Sequence, residues 1–111
     1  MIAPLAALSA AIAIGASAFG AHGASSPQAA DWLRTGGLYQ LIHAVAAFAL
    51  VGMPGGRGPV VMLLCGSLLF AATLYAMALG APRWFGAITP MGGALMIAGW
   101  LWVAWRFGAR A

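Results

Sequence analysis

The feature that most constrains this chain is the absence of charge from four long apolar stretches. Charged residues make up only 5% of the sequence, and the mean hydropathy is +0.98, whereas a soluble domain carries roughly a quarter charged residues. A helix that crosses a bilayer needs about 20 mostly apolar residues. The pattern therefore predicts an all-α membrane protein with four spans: residues 5–21, 37–53, 60–79 and 87–106.

Charged side chains fall in the connections or at the ends of these spans: Asp31, Arg34, Arg57, Arg83, Arg106 and Arg110. This placement supports the spans, because a charge at the bilayer centre is costly. The connections are short, so residues 1–111 are predicted to form a single integral membrane domain, a four-transmembrane-helix bundle. The expected partners are the lipid bilayer and either further copies or a larger membrane complex. Nucleic acid is not expected, because the scattered arginines form no basic patch.

The connection after the first span carries signals for a short helix of its own. Ser26 and Pro27 suit an N-cap and a first helical position, and Gly36 with Gly37 suits a helix stop. We therefore predict an interfacial helix over residues 27–35, with Trp32 at headgroup depth.

Thr89 and Pro90 form a similar helix start, which predicts that residues 84–88 approach span four as non-helical or kinked backbone. The span ends in three tryptophans followed by Arg106 and Arg110, as expected where a helix leaves a membrane. More arginines lie on the side of the termini than on the other side, which predicts that both termini are cytoplasmic.

The polar residues suggest one candidate site. Folding the spans back and forth brings a set of side chains near one membrane surface, with Arg83 beside them; the hypothetical ligand-binding residues are His22, Tyr39, Gln40, His43, Tyr75 and Thr89. Tyr39 and His43 are four apart and share a helix face. An ionisable group inside a membrane is a functional hypothesis by default.

Structural interpretations of the same residues remain open. His43 can be a neutral side chain that hydrogen-bonds a backbone carbonyl or Tyr75 and so joins helices. His22 can lie at the C-terminus of a helix, where a positive charge is favourable. Thr89 either starts a helix or helps its N-terminus to hold an anion.

Metal, cofactor and catalytic chemistry find little support in the sequence. His22 and His43 lack a nearby carboxylate or thiolate that would complete a metal site. Asp31 is the only acidic residue, which excludes a mechanism with two carboxylates. Cys65, the single cysteine, is interpreted as a small buried residue. No catalytic residue, metal or cofactor is predicted.

Three sequence blocks carry a family resemblance: residues 19–23 (FGAHG), 39–44 (YQLIHA) and 86–93 (GAITPMGG). Together they resemble the family known as domain of unknown function 423, small four-span inner-membrane proteins of bacteria that include the animal transmembrane-protein-256-like proteins. The run 70–75 (FAATLY) departs from the family's Phe-Ser-Gly-Ser-Leu-Tyr pattern, which favours packing over a polar role for that face. The resemblance implies a multi-pass protein of the bacterial inner membrane and no activity.

Two functions follow as expectations. The first is a structural or accessory membrane component, favoured by the abundance of small residues and by spans without charge. The alternative is a small-molecule or proton-linked binding or transport module with a polar pocket near His43. An enzyme is not expected.

Overall fold

Every regular element in the computed structural model is helical, and the structure describes residues 2–108. The elements are α1 (Ile2–His22), α2 (Pro27–Leu50), α3 (Arg57–Ala78), a 3₁₀ segment (Arg83–Ala87) and α4 (Thr89–Gly108). Residues 1 and 109–111 lie outside the described residues, and so does the predicted role of Arg110 at the end of span four.

Three helical stretches are long and apolar enough to cross a membrane: Ile2–His22, Arg57–Ala78 and Arg83–Gly108. The third stretch combines the 3₁₀ segment with α4. At 24 residues, α2 also has the length of a span, but its polar residues lower its hydropathy. The all-helical prediction is therefore confirmed, along with three apolar segments of spanning length.

Each helix packs along its neighbour in the chain, so α1 lies against α2, α2 against α3, and α3 against α4. The first and third helices touch only briefly, and no Cα atom of α2 comes within 8 Å of one in α4. The helices therefore pack in chain order, and the molecule measures 47 × 25 × 22 Å along its principal axes. One core cluster joins the start of α1 to the end of α2 and the start of α3: Ile2, Ala6, Ala47, Val60 and Leu64.

The predicted interfacial helix is part of α2, which runs without a break through Gly36 and Gly37. The helix stop predicted at this glycine pair is wrong. Both glycines are buried, and a Cβ atom would lie 2.8 Å from Cε1 of Tyr75 at the first and 2.9 Å from the carbonyl oxygen of Ala13 at the second. The missing side chains thus let α1 and α3 approach α2 closely, which is a tertiary role that local capping rules do not detect.

The helix start predicted at Ser26 and Pro27 is confirmed. The Oγ atom of Ser26 accepts a hydrogen bond of 3.0 Å from the backbone N–H of Ala29, and Pro27 is the first residue of α2. At the fourth helix, Thr89 is the first helical residue and not an N-cap, because its hydroxyl bonds to Thr73 and to the carbonyl of Phe85. The backbone before it is a 3₁₀ helix, where non-helical or kinked backbone was predicted.

The prediction that Cys65 is buried is wrong, because the residue is exposed on α3. It lines two shallow grooves, one between α1 and α3 and one between α3 and α4. Its outward position on an apolar helix places the thiol where lipid covers a membrane-embedded protein.

Candidate functional site

Gln40 is the centre of a polar contact among three helices. Its side chain is only 2% exposed. The Nε2 atom donates to Oγ of Ser9 on α1 over 3.0 Å, and Oε1 accepts from the hydroxyl of Tyr75 on α3 over 2.6 Å. One amide on α2 therefore holds both neighbouring helices through its donor and its acceptor.

His43 lies one turn further along α2 and is also buried. The indole N–H of Trp100 on α4 donates to Nε2 of the imidazole over 2.9 Å. Because an indole can only donate, Nε2 must accept, and the ring proton belongs on Nδ1. Nδ1 lies 2.6 Å from the carbonyl oxygen of Tyr39 and donates to it. The geometry thus fits a neutral imidazole that uses both ring nitrogens.

A groove of about 360 Å³ lies beside this imidazole, between α2 and α4. It is mostly aromatic and apolar, and its lining residues are Tyr39, His43, Phe70, Gly93, Met96, Ile97 and Trp100. The Tyr39 ring meets the Phe70 ring edge-on, with centroids 5.0 Å apart, and the His43 ring meets the Trp100 ring similarly at 5.9 Å. The imidazole forms part of the groove wall while both of its nitrogens bond to protein atoms.

Thr89 belongs to a separate contact. Its hydroxyl lies 2.6 Å from the hydroxyl of Thr73 on α3. Thr73 in turn donates to the backbone carbonyl of Phe70 over 2.9 Å. This pair joins the start of α4 to the last third of α3 and takes no part in the bonds around His43.

His22 and Arg83 also lie apart from the central network. His22 is the last residue of α1 and is exposed. Arg83 donates to Oε1 of Gln28 over 2.6 Å, and its guanidinium lies 6.0 Å from the centre of the Trp32 ring. Of the six candidate residues, the structure therefore brings together Tyr39, Gln40, His43 and Tyr75.

The sequence interpretation missed two partners, Ser9 and Trp100. Ser9 is the one polar residue in the first half of α1, and this isolation is a usable signal. Trp100 is the first of the three tryptophans at the end of span four, a position typical of a membrane exit, and nothing in its local sequence indicates that it reaches α2.

Two further observations describe the site as a whole. Within residues 2–108, every buried side-chain nitrogen and oxygen atom has a hydrogen-bond partner. Over the same range, no three side chains of His, Cys, Asp or Glu come close enough together to hold a metal ion.

Comparison with known proteins decides the family. The family model described as "Protein of unknown function (DUF423)" matches residues 16–93, which include the three sequence blocks described above. The chain belongs to this family. No solved structure matches it.

Curated relatives agree with the assignment and carry the name UPF0382 membrane protein. The relative from Staphylococcus saprophyticus is 38% identical over 105 residues, which cover 87% of this chain and 88% of that protein. The relative from Haemophilus influenzae is 38% identical over 109 residues, covering 91% and 88%. The UPF0382 inner membrane protein YgdD of Escherichia coli K12 is 36% identical over 104 residues, covering 86% and 79%. These names state a membrane location and no activity.

Proposed function

We propose that this protein is a four-span structural component of the bacterial inner membrane, and that its buried polar side chains hold the four helices in one arrangement. The observation that carries the proposal is the use of both ring nitrogens of His43 and of both ends of the Gln40 amide in bonds between protein groups. A ligand would have to displace one of these bonds before it could use either nitrogen of His43, and the burial of Gln40 keeps its amide away from a ligand.

The fourth span in this proposal is α2. Its 24 residues reach about 36 Å at 1.5 Å per residue, which is enough to cross the hydrocarbon core. Gln40 and His43 point inward and are bonded, whereas the outward face of the helix is apolar and exposed: Leu38, Ile42, Val45 and Phe48. Asp31 and Arg34 lie in the first third of the helix, where α2 reaches the headgroup region.

Four spans place both termini on the same side, and the excess of arginine on that side favours the cytoplasm. Reporter fusions test this topology. A fusion of green fluorescent protein after Ala111, which keeps Arg110 in place, should fluoresce, and alkaline phosphatase inserted after Ser25 should be active. An inactive phosphatase at Ser25 would contradict a cytoplasmic N-terminus. Active phosphatase at Ser25, together with a C-terminal fusion that is dark as green fluorescent protein and active as alkaline phosphatase, would contradict the fourth span.

In this role the polar residues act through stability and need no chemistry. A hydrogen bond between transmembrane helices contributes about 0.6 kcal/mol on average and about 1.7 at most. Because the helix surfaces are otherwise mostly apolar, several such bonds favour one arrangement of the helices over the alternatives. The expected partners are lipid and either a second copy or a larger membrane complex, and catalysis is not part of the proposal.

One observation favours the second candidate, a small-molecule or proton-linked binding module. The groove of about 360 Å³ between α2 and α4 opens beside His43 and Tyr39. A ligand seated there would compete with the indole of Trp100 for Nε2 of His43. In that case His43 would exchange a protein partner for a ligand, and α4 would lose its contact with α2.

Native mass spectrometry of protein released gently from its own membranes separates the two functions. Wild type, His43→Ala and Trp100→Phe are compared, with melting temperatures measured in parallel. A structural role predicts the same bound masses in all three and a lower melting temperature in both variants. A small molecule retained by wild type and lost in His43→Ala, at an unchanged melting temperature, would favour the binding module. Trp100→Phe keeps an aromatic ring at this position and removes the N–H donor together with part of the indole, so it tests the contact even if His43→Ala unfolds.

A further inference from the structure

A second groove, of about 540 Å³, runs between α3 and α4 and has a different character. Its walls are apolar along most of their length, with Val61, Met62, Cys65 and Leu95, and it ends at Arg57 and Trp102. Arg57 is the first residue of α3, so the charged end of the groove lies where α3 enters the membrane.

Trp102 closes this end of the groove against the start of α3. A Cβ atom on Gly58 would lie 2.7 Å from Cη2 of the indole, so the ring packs directly on the glycine backbone. Tryptophan favours the boundary between headgroups and hydrocarbon, where its ring meets both polar and apolar surroundings. The groove therefore has a cation and an indole at interface depth and an apolar floor below them.

No acidic side chain balances the positive charge at this end of the molecule. The guanidinium of Arg106 lies against Gly55 in the turn between α2 and α3, close to the start of α3. The only acidic residue of the chain, Asp31, lies near the other end of α2 and pairs with Arg34 at 3.7 Å. About 28 Å of helix separates Asp31 from the end of α2 at Leu50. No acidic side chain lies near Arg57, whose guanidinium suits a phosphate of the surrounding lipid.

A phospholipid matches both parts of the groove. Its phosphate suits a guanidinium, which can donate two parallel hydrogen bonds to phosphate oxygens, and its acyl chain suits the apolar walls. An anionic headgroup is preferred over a zwitterionic one, because the cation of a zwitterionic headgroup would add positive charge beside Arg57 and Arg106.

We propose that the α3–α4 groove binds one anionic phospholipid, with the phosphate on Arg57 and an acyl chain along Val61, Met62 and Leu95. This site goes beyond the structural role proposed above. It requires that α3 and α4 cross the bilayer, and it does not depend on the bonds of Gln40 or His43.

Lipid retention by the purified protein tests the site. Delipidated protein receives dioleoyl phosphatidylglycerol or dioleoyl phosphatidylcholine, which share their acyl chains, and native mass spectrometry counts the retained lipids. We expect the protein to retain phosphatidylglycerol in preference to phosphatidylcholine. Arg57→Gln should lower retention of phosphatidylglycerol about fivefold, because one basic residue near an anionic surface contributes about 1 kcal/mol of binding. Retention of dioleoyl phosphatidylcholine should fall less, because this lipid has the same phosphate but a headgroup without net negative charge.

Arg34→Gln is the matched control, because it changes the net charge equally at the opposite end. It should retain phosphatidylglycerol like wild type. Equal losses in the two arginine variants, or equal retention of the two lipids by wild type, would overturn the proposal, because the preference would then be absent or a property of net charge.

The acyl-chain half of the site has its own pair of variants. Cys65→Phe places a ring in the groove and should reduce retention of phosphatidylglycerol, whereas Val45→Phe, on the outward face of α2, should not. Both positions are exposed, so both variants should keep the wild-type melting temperature. If Cys65→Phe and Val45→Phe retained phosphatidylglycerol equally, the lipid would bind outside the α3–α4 groove and the proposed site would be wrong.

Discussion

The indole of Trp100 donates to Nε2 of His43 across the gap between α2 and α4. The backbones of these helices do not come close, and within residues 2–108 this is the one side-chain hydrogen bond that joins them. Gln40, one turn earlier on α2, bonds in the other direction to α1 and α3. Two neighbouring side chains on α2 thus connect this helix to all three others.

The direction of the Trp100 bond determines which tautomer His43 adopts. We predict that nitrogen-15 NMR of the protein with labelled histidine shows the neutral ring with its proton on Nδ1, because Nε2 must accept from the indole. Trp100→Phe should shift the Nε2 resonance, and the exposed His22 should show no such change. A proton on Nε2 in wild type would contradict the hydrogen-bond arrangement.

Gln40→Leu should lower the free energy of unfolding by about 1–3 kcal/mol, because it removes two bonds and leaves the groups of Ser9 and Tyr75 without their partner. Denaturant titration in mixed lipid and detergent micelles measures this. Tyr75→Phe, which removes one of the two bonds, should cost less.

The control for this pair is Tyr39→Phe, at a tyrosine that is 41% exposed. Its effect should stay within a few tenths of a kcal/mol, as is usual for exposed sites. If Tyr39→Phe and Tyr75→Phe destabilised equally, the bond from Tyr75 to Gln40 would have no special role.

Gly92 and Gly93 are adjacent in sequence but should respond oppositely to substitution by alanine. A Cβ atom on Gly92 would lie 2.6 Å from the backbone nitrogen of Phe70 and 2.7 Å from the carbonyl oxygen of Gly66, whereas one on Gly93 would meet nothing within 4 Å. Gly92→Ala must push α3 and α4 apart and should cost about 1–3 kcal/mol.

Gly93→Ala should be neutral, or should stabilise by up to about 1 kcal/mol through its better helix propensity. The melting temperatures of the two variants check the prediction. A similar loss in both would mean that glycine flexibility in α4, rather than the close approach of α3, determines stability.

The positions of α1, α3 and α4 were predictable because their signals are local. Apolar length defines a helix in a membrane, the N-cap Ser26 marks the start of α2, and the Thr89–Pro90 pair marks the start of α4. The continuity of α2 was not predictable in this way. A glycine pair can end a helix or let another helix pack closely against it. The local sequence does not distinguish the two, because Tyr75, which packs on Gly36, lies far along the chain.

Part of the site was predictable for the same reason. Tyr39, Gln40 and His43 share one side of α2 by their spacing, and a backbone carbonyl was among the expected partners of His43. The pairing of Gln40 with Tyr75 and of His43 with Trp100 depends on how far each helix slides along the next. That register is determined by glycine contacts such as Gly66 with α4, which no single segment encodes.

The most direct test of the central claim is a double-mutant cycle between His43 and Trp100, with unfolding free energies measured for wild type, His43→Leu, Trp100→Phe and the double variant. If the two side chains hold α2 and α4 together, each single variant is less stable than wild type. The coupling energy should then be about 0.6–1.7 kcal/mol in favour of the bond. A coupling energy of zero, with the two single effects simply adding, would contradict the account.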